Sequence, residues 1–163
     1  PIATEDSDTV SWGSAEFVAA EEMRRSRGHW WDPTSKKLAV TRVDVNNVSL
    51  WHIAAPNDPA REPRAVRYPA AGTTNADVQL YVVDTEDLSR LEVVWNRSTH
   101  PYLLAVTWDD DQPLTLVVHS RDQRSMQVLA LVADTGATGD DQLHADRPTG
   151  RRGRARPRPR KGR

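Results

Sequence analysis

Residues 102–138, YLLAVTWDDDQPLTLVVHSRDQRSMQVLALVADTGAT, hold three short runs rich in apolar residues: Tyr102–Trp108, Leu114–His119 and Met126–Ala133. Each has strand length and strand composition. Polar turns, Asp109-Asp110-Asp111 and Arg121-Asp122-Gln123, separate them. The unit closes on Asp134-Thr135-Gly136-Ala137-Thr138, a further turn. Such a closing turn is typical of the end of a propeller blade.

Working outward toward the N-terminus, the pattern recurs. Val78–Asp84 and Arg90–Asn96 read as strands joined through Thr85-Glu86-Asp87. Lys37–Val45 alternates and is rich in β-branched residues, and Val48–Ala54 is a further candidate strand. Pro56, Pro59 and Pro63 with Asn57-Asp58 mark a loop. Pro1 to Val10 is polar and reads as a loop or frayed strand. Trp31 and Trp108 occupy similar places, each just before an acidic turn and a new strand. Repeated antiparallel units of this kind suggest blades of a β-propeller. The two units differ in length, and the extra residues lie between Val45 and Gly72. The six tryptophans, Trp12, Trp30, Trp31, Trp51, Trp95 and Trp108, are expected to fill gaps between blades, where large rings bury much area.

One segment breaks the strand pattern. Glu16 to Pro33 reads EFVAAEEMRRSRGHWWDP. Ser14 to Arg27 carries good helix formers with no proline or internal glycine, which predicts a short helix. Glu16 lies in its first turn and Arg24, Arg25 and Arg27 in its last, as the helix dipole favours. Gly28 is the natural residue to follow its end. A strand containing Trp30-Trp31 follows. Glu21 and Glu22 are adjacent on this helix and point roughly 100° apart, so they do not face each other. They can still converge on one small cation beside the helix. The plainer arrangement pairs Glu21 with Arg24 or Arg25 and leaves both acids solvated; from spacing alone it is the commoner one.

Composition narrows the chemistry. The 163 residues suffice for one modest domain. There is no cysteine, hence no disulfide, thiolate metal site or cysteine nucleophile. The longest apolar stretches are strand-length, so no membrane segment or secretory leader is legible. The chain starts at Pro1 and its methionines are Met23 and Met126, which reads as a piece of a longer product. Location stays open, with a soluble, cytoplasmic setting preferred. The net charge of −1 hides two regions. Residues 144–163 hold nine basic residues and one acid, Asp146, which leaves the rest with 13 basic and 22 acidic residues, a net of −9.

No nucleophile elbow of the G-x-S-x-G type is present; Gly13-Ser14 lacks the flanking glycine. His29, His52, His100, His119 and His144 are scattered without metal-ligand spacing, and His52 and His119 read as strand residues. No phosphate loop or dinucleotide fingerprint appears. Asp109-Asp110-Asp111 is a solvated turn without calcium-loop spacing. No cofactor or metal is expected.

Several pieces together resemble the N-terminal β-propeller domain of the dipeptidyl-peptidase IV family, in the prolyl oligopeptidase group of serine peptidases. They are AEFVAAEEM (Ala15 to Met23), HWWDP (His29 to Pro33), LAVTRVD (Leu38 to Asp44), VRYPAAGTTNADVQLYVVD (Val66 to Asp84) and HSRDQRSMQVLAL (His119 to Leu131). The double-Glu helix followed by Trp-Trp and the Tyr-Pro-x-Ala-Gly-x-x-Asn segment are specific in combination. The resemblance implies an all-β fold: an incomplete propeller of about two to three antiparallel blades, with one short helix near the N-terminus and a disordered basic tail. It implies that Glu21 and Glu22 bind the free α-amino group of peptide substrates, from which the complete enzyme releases N-terminal dipeptides. Two carboxylates suit a compact ammonium with three donors. They would orient the substrate rather than break bonds. Arg24, Arg25 and Arg27 are expected to face solvent or a neighbouring blade. The resemblance also implies an extended arm in the 45–72 region that helps form a homodimer; the plain alternative is a variable surface loop.

The expected boundaries are 1–138 for the propeller fragment and 139–163 for the tail. GRRGRARPRPRKGR, residues 150–163, lacks apolar periodicity and any aromatic, so it offers no base-stacking platform and nucleic acid is not the expected partner. An out-of-frame reading of GC-rich DNA explains such text better than a designed basic arm. A family member would continue into further blades and an α/β-hydrolase domain with the Ser, Asp and His, so this chain should be inactive alone. So few blades cannot close a propeller, and exposed strand edges should make the fragment aggregation-prone. The rival reading is a non-catalytic propeller module that docks proteins, with a basic tail for acidic partners or nucleic acid.

Overall fold

The computed structural model describes residues 1–132 and 135–140. In chain order the elements are β1 (Val10–Trp12), α1 (Phe17–Glu22), β2 (His29–Trp31), β3 (Lys37–Asp44), β4 (Leu50–Ile53), β5 (Arg64–Arg67), β6 (Asp77–Asp84), β7 (Arg90–Val93), β8 (Tyr102–Thr107), β9 (Thr115–His119), β10 (Met126–Leu131) and β11 (Thr138–Asp140).

They form two antiparallel sheets, of five and four strands, each a propeller blade, and a separate two-stranded hairpin. The second is the simpler, with β8, β9, β10 and β11 side by side in chain order. The first runs β3, β6, β7, and the edge of β3 opposite β6 is shared by two short strands. β1 pairs with one end of β3, Val10 opposite Asp44 and Trp12 opposite Arg42. β2 pairs with the other end, His29 opposite Val40 and Trp31 opposite Leu38. The first strand position of this blade is therefore a strand broken in the middle, and the break contains α1. β4 and β5 form a separate hairpin inserted between β3 and β6.

Alternation explains which faces are buried. On β6, Val78, Leu80 and Val82 face the second blade, where they meet Leu103, Val106, Leu116, Val118 and Leu129. Trp30 and Trp95 fill the space between the blades, and Trp108 packs at its margin. β3 is buried on both faces. Its Leu38 and Val40 join Val83 in a second cluster, covered by Ile2, Ala3, Trp12 and Tyr81. The blades are also tied through the backbone. Val94 bridges Ala137 in parallel, the Val94 amide donates to the Gly136 carbonyl at 2.7 Å, and the Thr138 hydroxyl donates to the Val94 carbonyl at 2.8 Å.

Several expectations need correction. The helix is six residues long, not fourteen. It stops at Glu22 because Arg24 takes a left-handed conformation, φ 56°, which a helix cannot continue through. Gly28 therefore does not end the helix; it serves in a close backbone crossing described below. Trp12, Trp31 and Trp51 do not fill the gap between blades: Trp12 packs in the second cluster, and the other two are about half exposed, at 48% and 52%. Val48 lies ahead of β4 and is buried. β1, β5 and β11 were not expected as strands; each is three or four residues long and defined by its partner rather than its composition. β11 runs two residues past the expected boundary at 138. The basic tail lies outside the described residues.

Candidate functional site

The segment from Gly13 to Gly28 leaves the first blade, makes α1, and returns. Its base is stitched tightly. The Gly13 amide donates to the Thr41 carbonyl at 2.9 Å, the Gly28 amide to the Gly13 carbonyl at 3.1 Å, and the Thr41 amide to the Gly28 carbonyl at 2.8 Å. Thr41 is fully buried in β3, and its hydroxyl donates to the Ser14 carbonyl at 2.9 Å. The helix is thus held as a closed loop over the middle of β3.

Glu16 caps the helix. Its carboxylate accepts from the amides of Val18 and Ala19, the second at 2.9 Å. Glutamate is not among the favoured residues at this position, and this one is buried. Desolvation raises its pKa above the usual carboxylate value; the two amides and the Arg25 guanidinium work against that rise. Arg25 is buried as well, and desolvation lowers its pKa, opposed by Glu16. Its Nε donates to the Leu103 carbonyl on β8 at 2.9 Å, and its Nη1 to the Arg27 carbonyl at 3.0 Å. Arg25 thus reaches the neighbouring blade, as one of the two expected arrangements, while Arg24 and Arg27 are exposed.

Glu21 and Glu22 stand side by side at the C-terminal end of α1, both exposed. Neither carboxylate has a hydrogen-bond or ion-pair partner among the described residues. Of the plainer arrangement, the pairing of Glu21 with Arg24 or Arg25 is not formed, Arg25 being committed to carbonyls, while its other half, two exposed acids, is what the structure shows. Immediately beyond Glu22, a cleft of about 440 Å³ opens, lined by Met23 to Arg27, Trp30 and Leu104 to Val106. The two acids adjoin this cleft without lining it. A second cleft, of about 360 Å³, lies between the first strands of the two blades and is lined by both Trp31 and Trp108.

Beside the helix, Phe17 packs edge-on against Tyr68 with ring centroids 5.2 Å apart, and Tyr68 packs likewise on Trp51 of β4. The inserted hairpin is in this way continuous with the face of α1. It leaves Leu50, Trp51 and Ile53 about half exposed.

Among the described residues no group of three or more His, Asp or Glu is placed to hold a metal ion. His52 and His119 lie in β4 and β9, as expected. His100 is buried; its Nε2 lies 2.9 Å from the Ser125 hydroxyl, and its Nδ1 2.9 Å from the hydroxyl of Thr99. The Ser125 contact ties the turn after Trp95 to the 120–125 hairpin. No described helix is long and apolar enough to cross a membrane. The roles of Glu16, Arg25 and Thr41 were not legible beforehand. The one available signal was Glu16 standing directly before the apolar run Phe17-Val18-Ala19-Ala20, at the place a capping residue takes.

Comparison with known proteins gives a consistent result. Residues 2–147 match the family model described as the dipeptidyl peptidase IV (DPP IV) N-terminal region. Dipeptidyl peptidase 8 of Mus musculus is 31% identical over 86 residues, which cover 47% of this chain and 10% of that protein. Dipeptidyl peptidase 4 of Sus scrofa is 31% identical over 117 residues, covering 64% of this chain and 15% of that protein. The crystal structure of Porphyromonas gingivalis dipeptidyl peptidase 4 superposes with a TM-score of 0.71 at 21% identity, covering 83% of this chain and 20% of the other. The chain therefore spans a small part of the relatives it matches.

Proposed function

This chain belongs to the dipeptidyl peptidase IV family, through its N-terminal region, and from that premise we propose that it is the substrate-binding propeller portion of a serine exopeptidase releasing N-terminal dipeptides. Glu21 and Glu22 would receive the substrate α-ammonium group. The observation that carries this reading is the pair of adjacent, exposed, unpartnered carboxylates on a helix fixed to the middle of β3. A carboxylate already engaged with arginine would have to break that pair first; these two do not. Charge-assisted hydrogen bonds from an ammonium to two such acceptors are strong and directional. They would set the distance from the amine to the scissile bond, and the Ser, Asp and His would come from an α/β-hydrolase domain outside this chain.

The test is made in the full-length protein containing this segment. Glu21→Ala and Glu22→Ala are each expected to lower kcat/KM on a dipeptidyl p-nitroanilide by about 10²-fold or more, the scale expected when a positioning contact is lost. Thermal stability should change little, because both side chains are exposed and unpaired. Full activity in both variants would remove the anchoring role.

A second surface is favoured by the exposed Leu50, Trp51 and Ile53 on the β4–β5 hairpin. We assign it to self-association into a homodimer, which the arm-like insertion of the family suggests. The rival reading, a non-catalytic protein-docking module, rests on this same face and separates from the first by its indifference to Glu21 and Glu22.

A further inference from the structure

Arg25 is the least expected residue of the site. A guanidinium is rarely buried without a job, because desolvating it is expensive unless its donors are matched. Here the group is 6% exposed, and two of its nitrogens are matched to carbonyl oxygens on different elements. One is Leu103 on β8, the edge strand of the second blade. The register of β8 against β9 slips between Leu103 and Ala105, a bulge at the point of contact. The other is Arg27, where the chain returns toward the first blade. A third tie is made by the main chain: the Arg25 amide donates to the Ala19 carbonyl inside α1 at 2.9 Å. The remaining nitrogen, Nη2, is buried with no partner among the described residues. Arg25 therefore joins three things at one residue: the helix bearing the acids, the return strand, and the adjacent blade.

We infer that Arg25 is a positioning residue for amine recognition, fixing Glu21 and Glu22 relative to the second blade by clamping the C-terminal end of their helix to the Leu103 carbonyl. The inference rests on the reading of Glu21 and Glu22 as amine anchors. α1 has only six residues, too few to hold its own shape in water. Glu16 fixes the N-terminal end through its own amides. Arg25 supplies the side-chain hydrogen bonds at the end carrying the acids. The blade to which it is clamped supplies Leu104, Ala105 and Val106 to the adjoining cleft. Movement of the clamp would thus shift the acids relative to one wall of that cleft.

The experiment uses the full-length protein with Arg25→Lys and Arg25→Met, beside Glu21→Ala and Glu22→Ala. A lysine can satisfy one of the two carbonyls; a methionine satisfies neither. Steady-state kinetics on a dipeptidyl p-nitroanilide gives KM and kcat. Labelling by a fluorophosphonate, which carries no amine, reports the catalytic serine independently of the anchor. Positioning predicts KM raised roughly tenfold in Arg25→Lys and further toward a hundredfold in Arg25→Met, with serine labelling within twofold of the parent in both. Unchanged KM in both arginine variants, with activity lost in the glutamate variants, overturns the positioning role and leaves the anchors standing. Parallel loss of labelling, kcat and thermal stability in both arginine variants also overturns it, since that is a purely structural effect. Full activity in the glutamate variants overturns the anchor reading itself, and this inference with it.

Discussion

Gly28 shows at a single residue how the site is built. A Cβ at that position would lie less than 3.0 Å from the Thr41 hydroxyl and from the carbonyl oxygen of Ser14. Thr41 cannot withdraw, since it is fully buried and bonded to both flanks of the crossing. Gly28→Ala is therefore expected to destabilise the chain by about 1–3 kcal/mol, the usual cost of forcing atoms into a packed site. Thermal unfolding of the chain reads it directly, and an unchanged Tm would mean the crossing is looser than its geometry. The glycine was legible as special, but for the wrong reason. A sequence shows that a glycine follows a helical stretch; it does not show that two backbones cross there. Glu16 and Arg25 were equally opaque. Both belong to residue types normally found at the surface, and only the fold reveals that each is enclosed.

Among the elements, the turn between β2 and β3 is organised by Asp32. Its carboxylate accepts from the Lys37 amide at 2.7 Å and from the amide and hydroxyl of Thr34. Desolvation alone would raise its pKa, but these hydrogen bonds prevail and hold it below its ordinary value of 3.8. A depressed folded pKa means that the folded state binds the proton less readily than the unfolded one. The stabilisation is then complete above 3.8 and is lost as pH falls through the lower folded value. Asp32→Ala should cost about 1.5–3 kcal/mol at neutral pH, the range for hydrogen bonds to a charged acceptor. The gap between variant and parent should narrow below pH 3.8. Urea titrations across that range test it; a gap independent of pH would show that the charge is not what matters. Strands such as β6 and β9 were legible because their alternation is set by which face they bury. The strands missed are those of three or four residues, whose conformation is imposed by a neighbouring backbone. The helix was seen but overextended. Helix formers continue to Arg27, while its end is set at Arg24 by the carbonyls and blade that Arg25 must reach.

On the scale of the whole molecule, two blades share one core and carry a hairpin that packs through Tyr68 against Phe17 of the helix. A face with three neighbouring large apolar side chains, Leu50, Trp51 and Ile53, each about half exposed invites cover. Trp51→Glu with Ile53→Glu is expected to shift the full-length protein toward monomer by at least tenfold in dissociation constant, a change of 1.4 kcal/mol. Sedimentation velocity measures it, and an unaltered distribution would take self-association away from the hairpin. The amino-acid sequence by itself determined that the chain is built of antiparallel strands, that a short helix with two adjacent acids interrupts them, and that the family is that of the dipeptidyl peptidase IV N-terminal region. These follow from local periodicity and from motifs, which are written in neighbouring residues. Only the tertiary structure decided that α1 interrupts the first strand of a blade, that Glu16 and Arg25 are buried at its two ends, and that Glu21 and Glu22 are left free. Those outcomes depend on contacts such as Arg25 with Leu103, far apart along the chain, and on burial, which no residue carries until the chain has folded around it.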